Sequence, residues 1–227
     1  MLTLALILLV IAFFTGSIAA PLRSLERDPD QFFGFVFAII LGITVHEFMH
    51  AYTAHQLGDD TGRLMGRLTL DPRAHFDLFG TLLLVLAGFG YGKPVPVNES
   101  RLRGAFGMTF VALAGPLANL AIAAVVAIPL RFGGADLLGG NYQEILGWIV
   151  LWNCVLAIFN LIPIPPLDGS NVVYGLLPPN LQWQWRTYQQ YGPILLLFLL
   201  WFGFRFLNAI VFAPAVAIAR FLTGGAL

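Results

Sequence analysis

The chain has 227 residues, of which 58% are hydrophobic and 11% charged, and its mean hydropathy is +0.81. This composition excludes an ordinary soluble domain and indicates an integral membrane protein. The 12 basic and 12 acidic residues balance, so the net charge gives no indication of a nucleic-acid partner. The single cysteine, Cys154, excludes an internal disulfide and lies in an apolar run, where we expect a buried side chain.

The first half of the chain contains two apolar stretches and a polar loop. Residues 1–20 lack a basic leading segment, so they predict a retained first span rather than a signal peptide. A second span is predicted at about 31–57. The loop 58–104 contains an apolar island at 81–92, which is too short to cross a bilayer, since a spanning helix takes about 20 residues. We expect a re-entrant hairpin here, with extended chain over the proline-containing residues 93–98.

The second half contains three further apolar regions. A third span is predicted at about 105–130, and a fourth begins near Ile145 and ends where prolines interrupt the helix after Asn160. The last region, 191–222, is long enough for one tilted span and a short extra helix. We therefore predict an all-α polytopic membrane protein with about five to six transmembrane helices and a short re-entrant extended segment, in a single domain covering 1–227.

The second predicted span carries the sequence His46-Glu47-Phe48-Met49-His50. Histidines four residues apart share one helix face, so both imidazoles could bind one Zn²⁺ while Glu47 acts on its water. A solvated pair of histidines is the alternative. The apolar flanks disfavour it, because ionisable groups inside a span are costly and usually functional. The pattern predicts a hydrolytic site with one zinc per chain.

A catalytic zinc usually has three protein ligands and a water, so a third ligand is needed. The third predicted span runs away from the histidines and the fourth returns, which brings Asp168 to their face of the membrane and leaves Asp136 and Glu144 on the opposite face. Asp168 lies at the depth of the histidines if the helix breaks near Asn160. An ordinary Asp-Gly turn is the alternative.

Three motifs together resemble the site-2 protease family of intramembrane zinc metalloproteases. They are HEFMH at 46–50, GPLAN at 115–119 and NLIPIPPLDG at 160–169, and the KPVPVN stretch at 93–98 also matches. The resemblance covers about 31–177, which would be the catalytic core. The chain leaves no room for a PDZ insertion or a CBS pair, so substrate gating is not indicated.

The resemblance implies an enzyme that hydrolyses peptide bonds within transmembrane segments of membrane-protein substrates, in regulated intramembrane proteolysis. It implies Glu47 as the catalytic base and three zinc ligands: His46, His50 and Asp168. The candidate substrate-binding residues are Gly115, Asn119, Asn160, Val95 and Val97. For Gly115 and Asn119, close helix packing and an interhelical hydrogen bond are an equal alternative.

The loop between the second and third predicted spans holds six of the twelve basic residues: Arg63, Arg67, Arg73, Lys93, Arg101 and Arg103. Positive residues favour the cytoplasmic side. We therefore expect the 58–104 loop, the N-terminus and the side nearest the active site to face the cytoplasm, in a prokaryotic plasma membrane.

Three other ionisable residues lie outside the three motifs. His55 lies on the opposite helix face from His46, so an interfacial position is expected, and His75 is expected to be solvated. Arg205 either snorkels at the end of a span or pairs inside the bundle. The alternative functions are an inactive scaffold that binds transmembrane helices and an ion-linked transporter. For the protease, the expected partners are transmembrane-protein substrates and the lipid bilayer, with no nucleic acid.

Overall fold

The computed structural model describes four parts of the chain: residues 27–78, 80–81, 92–134 and 142–225. The predicted first span at 1–20 and nearly all of the apolar island at 81–92 lie outside the described residues. The described part is mostly helical, and its one β pairing is an isolated antiparallel bridge between Phe76 and Gly92.

Helix α1, Pro29–Gln56, is the 28-residue helix that carries the HExxH motif. It begins after Asp28, whose carboxylate accepts the Gln31 N–H at 3.0 Å and satisfies one free backbone donor of the first turn. It ends just before Gly58, where a φ of +103° suits glycine. A short helix, α2, Thr61–Leu64, follows.

Helices α3, Gly107–Arg131, and α4, Tyr142–Asn160, pack against α1 and against each other. Their starts and ends lie within a few residues of the predicted third and fourth spans. The backbones approach closely where α1 has glycine, because a Cβ at Gly34 would lie 2.5 Å from the Trp148 Cβ. Helices α3 and α4 therefore hold α1 in place.

Helix α4 ends at Asn160, and after the proline-rich linker α5 runs over Asp168–Leu176. This agrees with the break and restart that the prolines predict. Helix α5 packs on α3, and α6, Pro179–Gln189, follows it. Asp168 is therefore the first residue of a helix whose position is set by α3.

The C-terminal region consists of α7, Gly192–Phe202, α8, Phe204–Leu207, a π-helical turn, Asn208–Phe212, and α9, Ala213–Thr223. Helix α9 packs against α3 and α4 through small buried residues such as Ala215 and Ala219. Arg205, the second residue of α8, is exposed.

Four helical segments within the described residues are long and apolar enough to cross a membrane: Pro29–Gln56, Gly107–Arg131, Tyr142–Asn160 and Arg205–Thr223. The chain is therefore an integral membrane protein. Region 191–222 divides into an 11-residue helix and a 19-residue helical stretch, as its length predicts.

Candidate metal centre

Three side chains from two helices converge beside α3. His46 and His50 lie on one face of α1, and Asp168 reaches them from the first turn of α5. The His46 Nε2 lies 2.9 Å from Asp168 Oδ2, and the His50 Nε2 lies 3.3 Å from Asp168 Oδ1. One donor atom from each residue lies within 4.8 Å of the other two. These three residues could hold one metal ion.

The second nitrogen of each imidazole contacts an oxygen. His50 Nδ1 lies 2.7 Å from the Val111 carbonyl oxygen, and His46 Nδ1 lies 2.6 Å from Asn119 Oδ1. Both oxygens can only accept, so in the neutral rings the proton is on Nδ1. Each Nε2 then directs a lone pair at the centre of the cluster. Outer hydrogen bonds of this kind orient histidine ligands toward metals.

The donor set fits zinc. Tetrahedral zinc with bonds of about 2.0–2.1 Å separates its ligand atoms by about 3.3 Å, close to the separations of the His and Asp donors. Both histidines are buried, and within the described residues His50 Nε2 and Asp168 Oδ2 have no hydrogen-bond partner. Converging lone pairs repel one another unless a cation or a proton lies between them. Two imidazoles and a carboxylate also leave the fourth position that a catalytic zinc needs.

Gly115 of α3 lies directly against the two imidazoles. A Cβ at this position would lie 2.5 Å from His50 Nε2 and 2.6 Å from His46 Nε2. Those are the atoms that face the centre, so a side chain here would fill space beside the metal position. The absence of a side chain at Gly115 therefore leaves space beside the metal position, in addition to allowing close helix packing.

Glu47 lies beside the cluster and outside its set of three converging residues. It is partly buried, and its Oε2 accepts the Val95 N–H at 3.1 Å. Its position one residue after His46 turns it by about 100° from that ring, as a helix requires. A carboxylate in this place can exchange a proton with a group held at the centre.

The segment 93–98 crosses the end of α1 without helical structure. It is anchored at three points: Lys93 N–H donates to the His75 carbonyl at 2.7 Å, Val95 N–H donates to Glu47, and Asn98 N–H donates to Asp59 Oδ2 at 2.6 Å. Val95 and Val97 are half-buried. The extended chain is therefore held next to the candidate catalytic residue.

Asp59 has an unusual environment for a loop carboxylate. Burial tends to raise its pKa, but hydrogen bonds from Thr61 and from the Asn98 N–H outweigh burial and lower the pKa below its ordinary value. The Thr61 side chain donates at 2.5 Å and its N–H at 3.0 Å to the same Oδ1. The ionised carboxylate is thus an anchor for the segment.

The prediction that His75 is solvated is wrong. Its exposed fraction is 0%, and its Nε2 donates to the Thr69 carbonyl at 2.8 Å. The loop folds over it because the buried Arg67 guanidinium donates to the carbonyls of both Ala74 and Lys93, which joins the two sides of the loop. His55 is half-buried and bonds Asp60 at 2.6 Å, which suits the expected position at the end of the helix.

Two asparagines from the sequence motifs have different surroundings. Asn119 is fully buried and contacts His46, so the structure shows the interhelical hydrogen bond that was one of its two interpretations. Asn160 is half-buried, and its side chain donates to the Leu156 carbonyl in the last turn of α4. Asn153 was not among the predicted site residues, although an amide inside an apolar span is a signal in itself.

The family model described as "Peptidase family M50" matches residues 34–134 and 131–200, most of the chain and the whole candidate centre. The chain belongs to peptidase family M50. The resemblance to site-2 proteases is therefore confirmed, and the M50 chain is a metalloprotease whose cofactor is Zn²⁺. No solved structure matches it.

Curated relatives have names that agree with this. "Putative zinc metalloprotease YwhC" of Bacillus subtilis (strain 168) is 40% identical over 176 residues, which cover 72% of this chain and 78% of that protein. "Putative zinc metalloprotease Rip2" of Mycobacterium tuberculosis (strain ATCC 25618 / H37Rv) is 32% identical over 70% of this chain and 63% of that protein. "Zinc metalloprotease MJ0392" of Methanocaldococcus jannaschii is 26% identical over 76% of this chain and 43% of that protein.

Proposed function

We propose that this M50 metalloprotease cleaves peptide bonds within transmembrane segments of membrane-protein substrates. The observation that carries the proposal is the position of the centre. His46 and His50 lie well inside a 28-residue apolar helix, and Asp168 meets them there. A substrate bond that reaches these residues must itself lie at membrane depth. The ligands of the zinc would be His46, His50 and Asp168.

In the proposed reaction, Glu47 is the general base. When bound, zinc would supply Lewis-acid activation of a water and polarisation of the scissile carbonyl. Glu47 takes a proton from the attacking water and passes it to the leaving amide nitrogen. The Nδ1 atoms of His46 and His50 already carry protons that face acceptor oxygens, and with zinc bound each Nε2 would be engaged by the metal, so neither ring would compete with Glu47 for that proton.

The substrate must present an accessible carbonyl, so its helix has to unwind locally. We propose that the extended segment 93–98 receives the unwound chain by strand addition, with Val95 and Val97 among the contact residues. Pro94 and Pro96 lack N–H groups and the Val95 N–H already donates to Glu47, so the Val97 N–H and the backbone carbonyls of the segment would bond the added chain. Three further proposed substrate-binding residues are Gly115, Asn119 and Asn160.

The proposed topology has about five to six spans, with a re-entrant segment entering from the cytoplasmic side of a prokaryotic plasma membrane. The concentration of basic residues in 58–104 supports this orientation. Four candidate spans lie in the described residues, and residues 1–20 would add another.

The first prediction is that Glu47→Gln binds zinc normally and loses hydrolysis. Glutamine has nearly the same shape but cannot accept a proton, and general-base assistance is typically worth about 10²–10⁴-fold in rate. Detergent-purified wild type and variant would be assayed for metal content and for cleavage of a single-span substrate.

His46→Ala serves as the reference that should lose both zinc and cleavage. A Glu47→Gln rate within a few-fold of wild type would exclude Glu47 as the base. Zinc-loaded wild type that binds membrane helices and cuts none of a broad substrate set would support the scaffold alternative instead.

A further inference from the structure

Two asparagine side chains lie fully buried where α1, α3 and α4 meet. Asn119 of α3 and Asn153 of α4 each have an exposed fraction of 0%. Both lie in candidate membrane spans, where an amide is costly unless its donors and acceptor are satisfied. The hydrogen bonds of the two amides therefore show how these polar groups are satisfied inside the membrane spans.

The donors all point the same way, from the metal centre toward α4. Asn153 Nδ2 donates to the Ile149 carbonyl at 2.9 Å, which directs its Oδ1 toward Asn119. Asn119 Nδ2 then donates to that Oδ1 at 3.0 Å. It also donates to the Gly42 carbonyl of α1 at 3.1 Å. Both partners are acceptors, so the amide of Asn119 has one orientation that satisfies them.

That orientation determines the state of His46. It leaves Asn119 Oδ1 facing His46 Nδ1 at 2.6 Å, and an oxygen in that place requires a proton on Nδ1. If the Asn119 amide turned over, its NH₂ would face Nδ1 instead. The proton of the neutral ring would then lie on Nε2, which is the atom directed at Asp168. A protonated Nε2 cannot bind a metal.

We propose that Asn153 is a positioning residue for the metal centre, which acts through Asn119 to keep His46 in the metal-binding tautomer. This rests on the proposed ligation of zinc by His46. Asn153 does not touch the metal position itself. Its effect reaches the centre through two hydrogen bonds across three helices.

Gly42 completes this arrangement. A Cβ at Gly42 would lie 2.9 Å from Asn153 Oδ1 and 3.2 Å from Asn119 Nδ2, closer than side chains tolerate without moving. Gly42 also lies one helical turn before His46, on the same face of α1. The missing side chain leaves room for both amides, so Asn119 can reach the carbonyl of Gly42, which serves as the second acceptor that fixes its orientation.

The test is zinc affinity, measured by chelator competition on purified protein. Asn153→Leu removes the acceptor from Asn119 at similar volume, and we expect zinc binding to weaken by about 10-fold or more, within the 10–100-fold typical of outer-shell partners. Asn119→Leu should weaken it at least as much. Asn153→Asp, protonated in this buried place, keeps both an acceptor and a donor and should restore affinity to within a few-fold of wild type.

Cys154→Ala is the control, because Cys154 is equally buried on the same helix and makes no contact in the chain of amides. The melting temperature of zinc-free protein separates a structural role from positioning. Should Asn153→Leu fail to fold, Asn153→Ala and Asn153→Asp carry the comparison. Wild-type zinc affinity in the folded Leu or Ala variant would overturn the proposal. Retained zinc in His46→Ala would instead overturn the proposed ligand set.

Discussion

At Gly115 a single hydrogen atom in place of a side chain leaves room beside the imidazoles of His46 and His50. The HExxH spacing predicts from the sequence alone that the two rings share a face, because helix geometry is local. The contact of Gly115 with them depends on how α3 packs across α1, which the sequence could not supply. The same holds for Asn119, because its hydrogen bond to His46 depends on how α3 packs against α1.

The prediction at this position is that Gly115→Ala lowers zinc affinity by at least 10-fold while the protein stays folded. The added methyl would lie 2.5 Å and 2.6 Å from the two Nε2 atoms, so the rings must turn away from the metal position. Metal content and chelator competition measure the effect.

Gly134→Ala, three residues beyond the C-terminal end of α3, is the control, since a Cβ there would be 3.5 Å or more from its neighbours. We expect this variant to bind zinc as wild type does. If Gly115→Ala also bound zinc normally, the rings would have to tolerate the methyl, and the spatial role given to Gly115 would be wrong.

The extended segment 93–98 has no helical structure of its own, and one carboxylate, Asp59, holds its Asn98 end. The helices were predictable because long apolar runs and prolines mark where they begin and end. The segment was predictable as extended chain from Pro94 and Pro96. Its anchors were not, because they join residues 18 to 48 positions apart in the sequence.

We predict that Asp59→Asn loosens the segment. One of the two carboxylate oxygens becomes an NH₂ that faces an N–H donor, and losing a hydrogen bond to a charged group costs about 1.5–3 kcal/mol, roughly 10–150-fold in local opening. Faster hydrogen exchange in the peptide containing Lys93 to Asn98 would show that the segment is loosened. Asp60→Asn is the control, because Asp60 bonds His55 and Arg63 and not the segment.

The same anchor should depend on pH. The pKa of Asp59 is lowered in the folded protein, so its contribution is complete above the ordinary value of 3.8 and disappears as the pH falls through the lower folded value. Exchange in the wild-type segment should therefore accelerate under acid relative to Asp59→Asn. An equal response in both proteins would mean that Asp59 is not the group responsible.

For the whole molecule, the prediction is that the 58–104 loop faces the cytoplasm, because half of the basic residues lie in it. Single cysteines at Arg63 and Arg101, in a Cys154→Ala background, should react with a membrane-impermeant reagent only after intact cells are opened. Phe132→Cys lies at the other end of α3 and is 75% exposed, so it should react in intact cells. The reverse pattern would invert the topology.

Membrane character and family could be predicted from composition and three motifs, whereas the burial of His75 could not. The loop around it is polar in composition, and polar residues in a loop usually indicate solvation. The loop is nevertheless folded over His75, because the buried Arg67 side chain donates hydrogen bonds to two backbone carbonyls. This contact forms only when the two sides of the loop have come together, so no local sequence pattern predicts the burial of His75.

The distance along the chain between the donors of the candidate centre has a consequence for the order of events during synthesis. Asp168 leaves the ribosome about 120 residues after His50, which at about 5–20 residues per second is about 6–24 s later. During that interval α1 holds two histidines and no third donor. With the proposed ligand set, a newly made chain cannot cut its neighbours in the membrane until α5 has docked on α3.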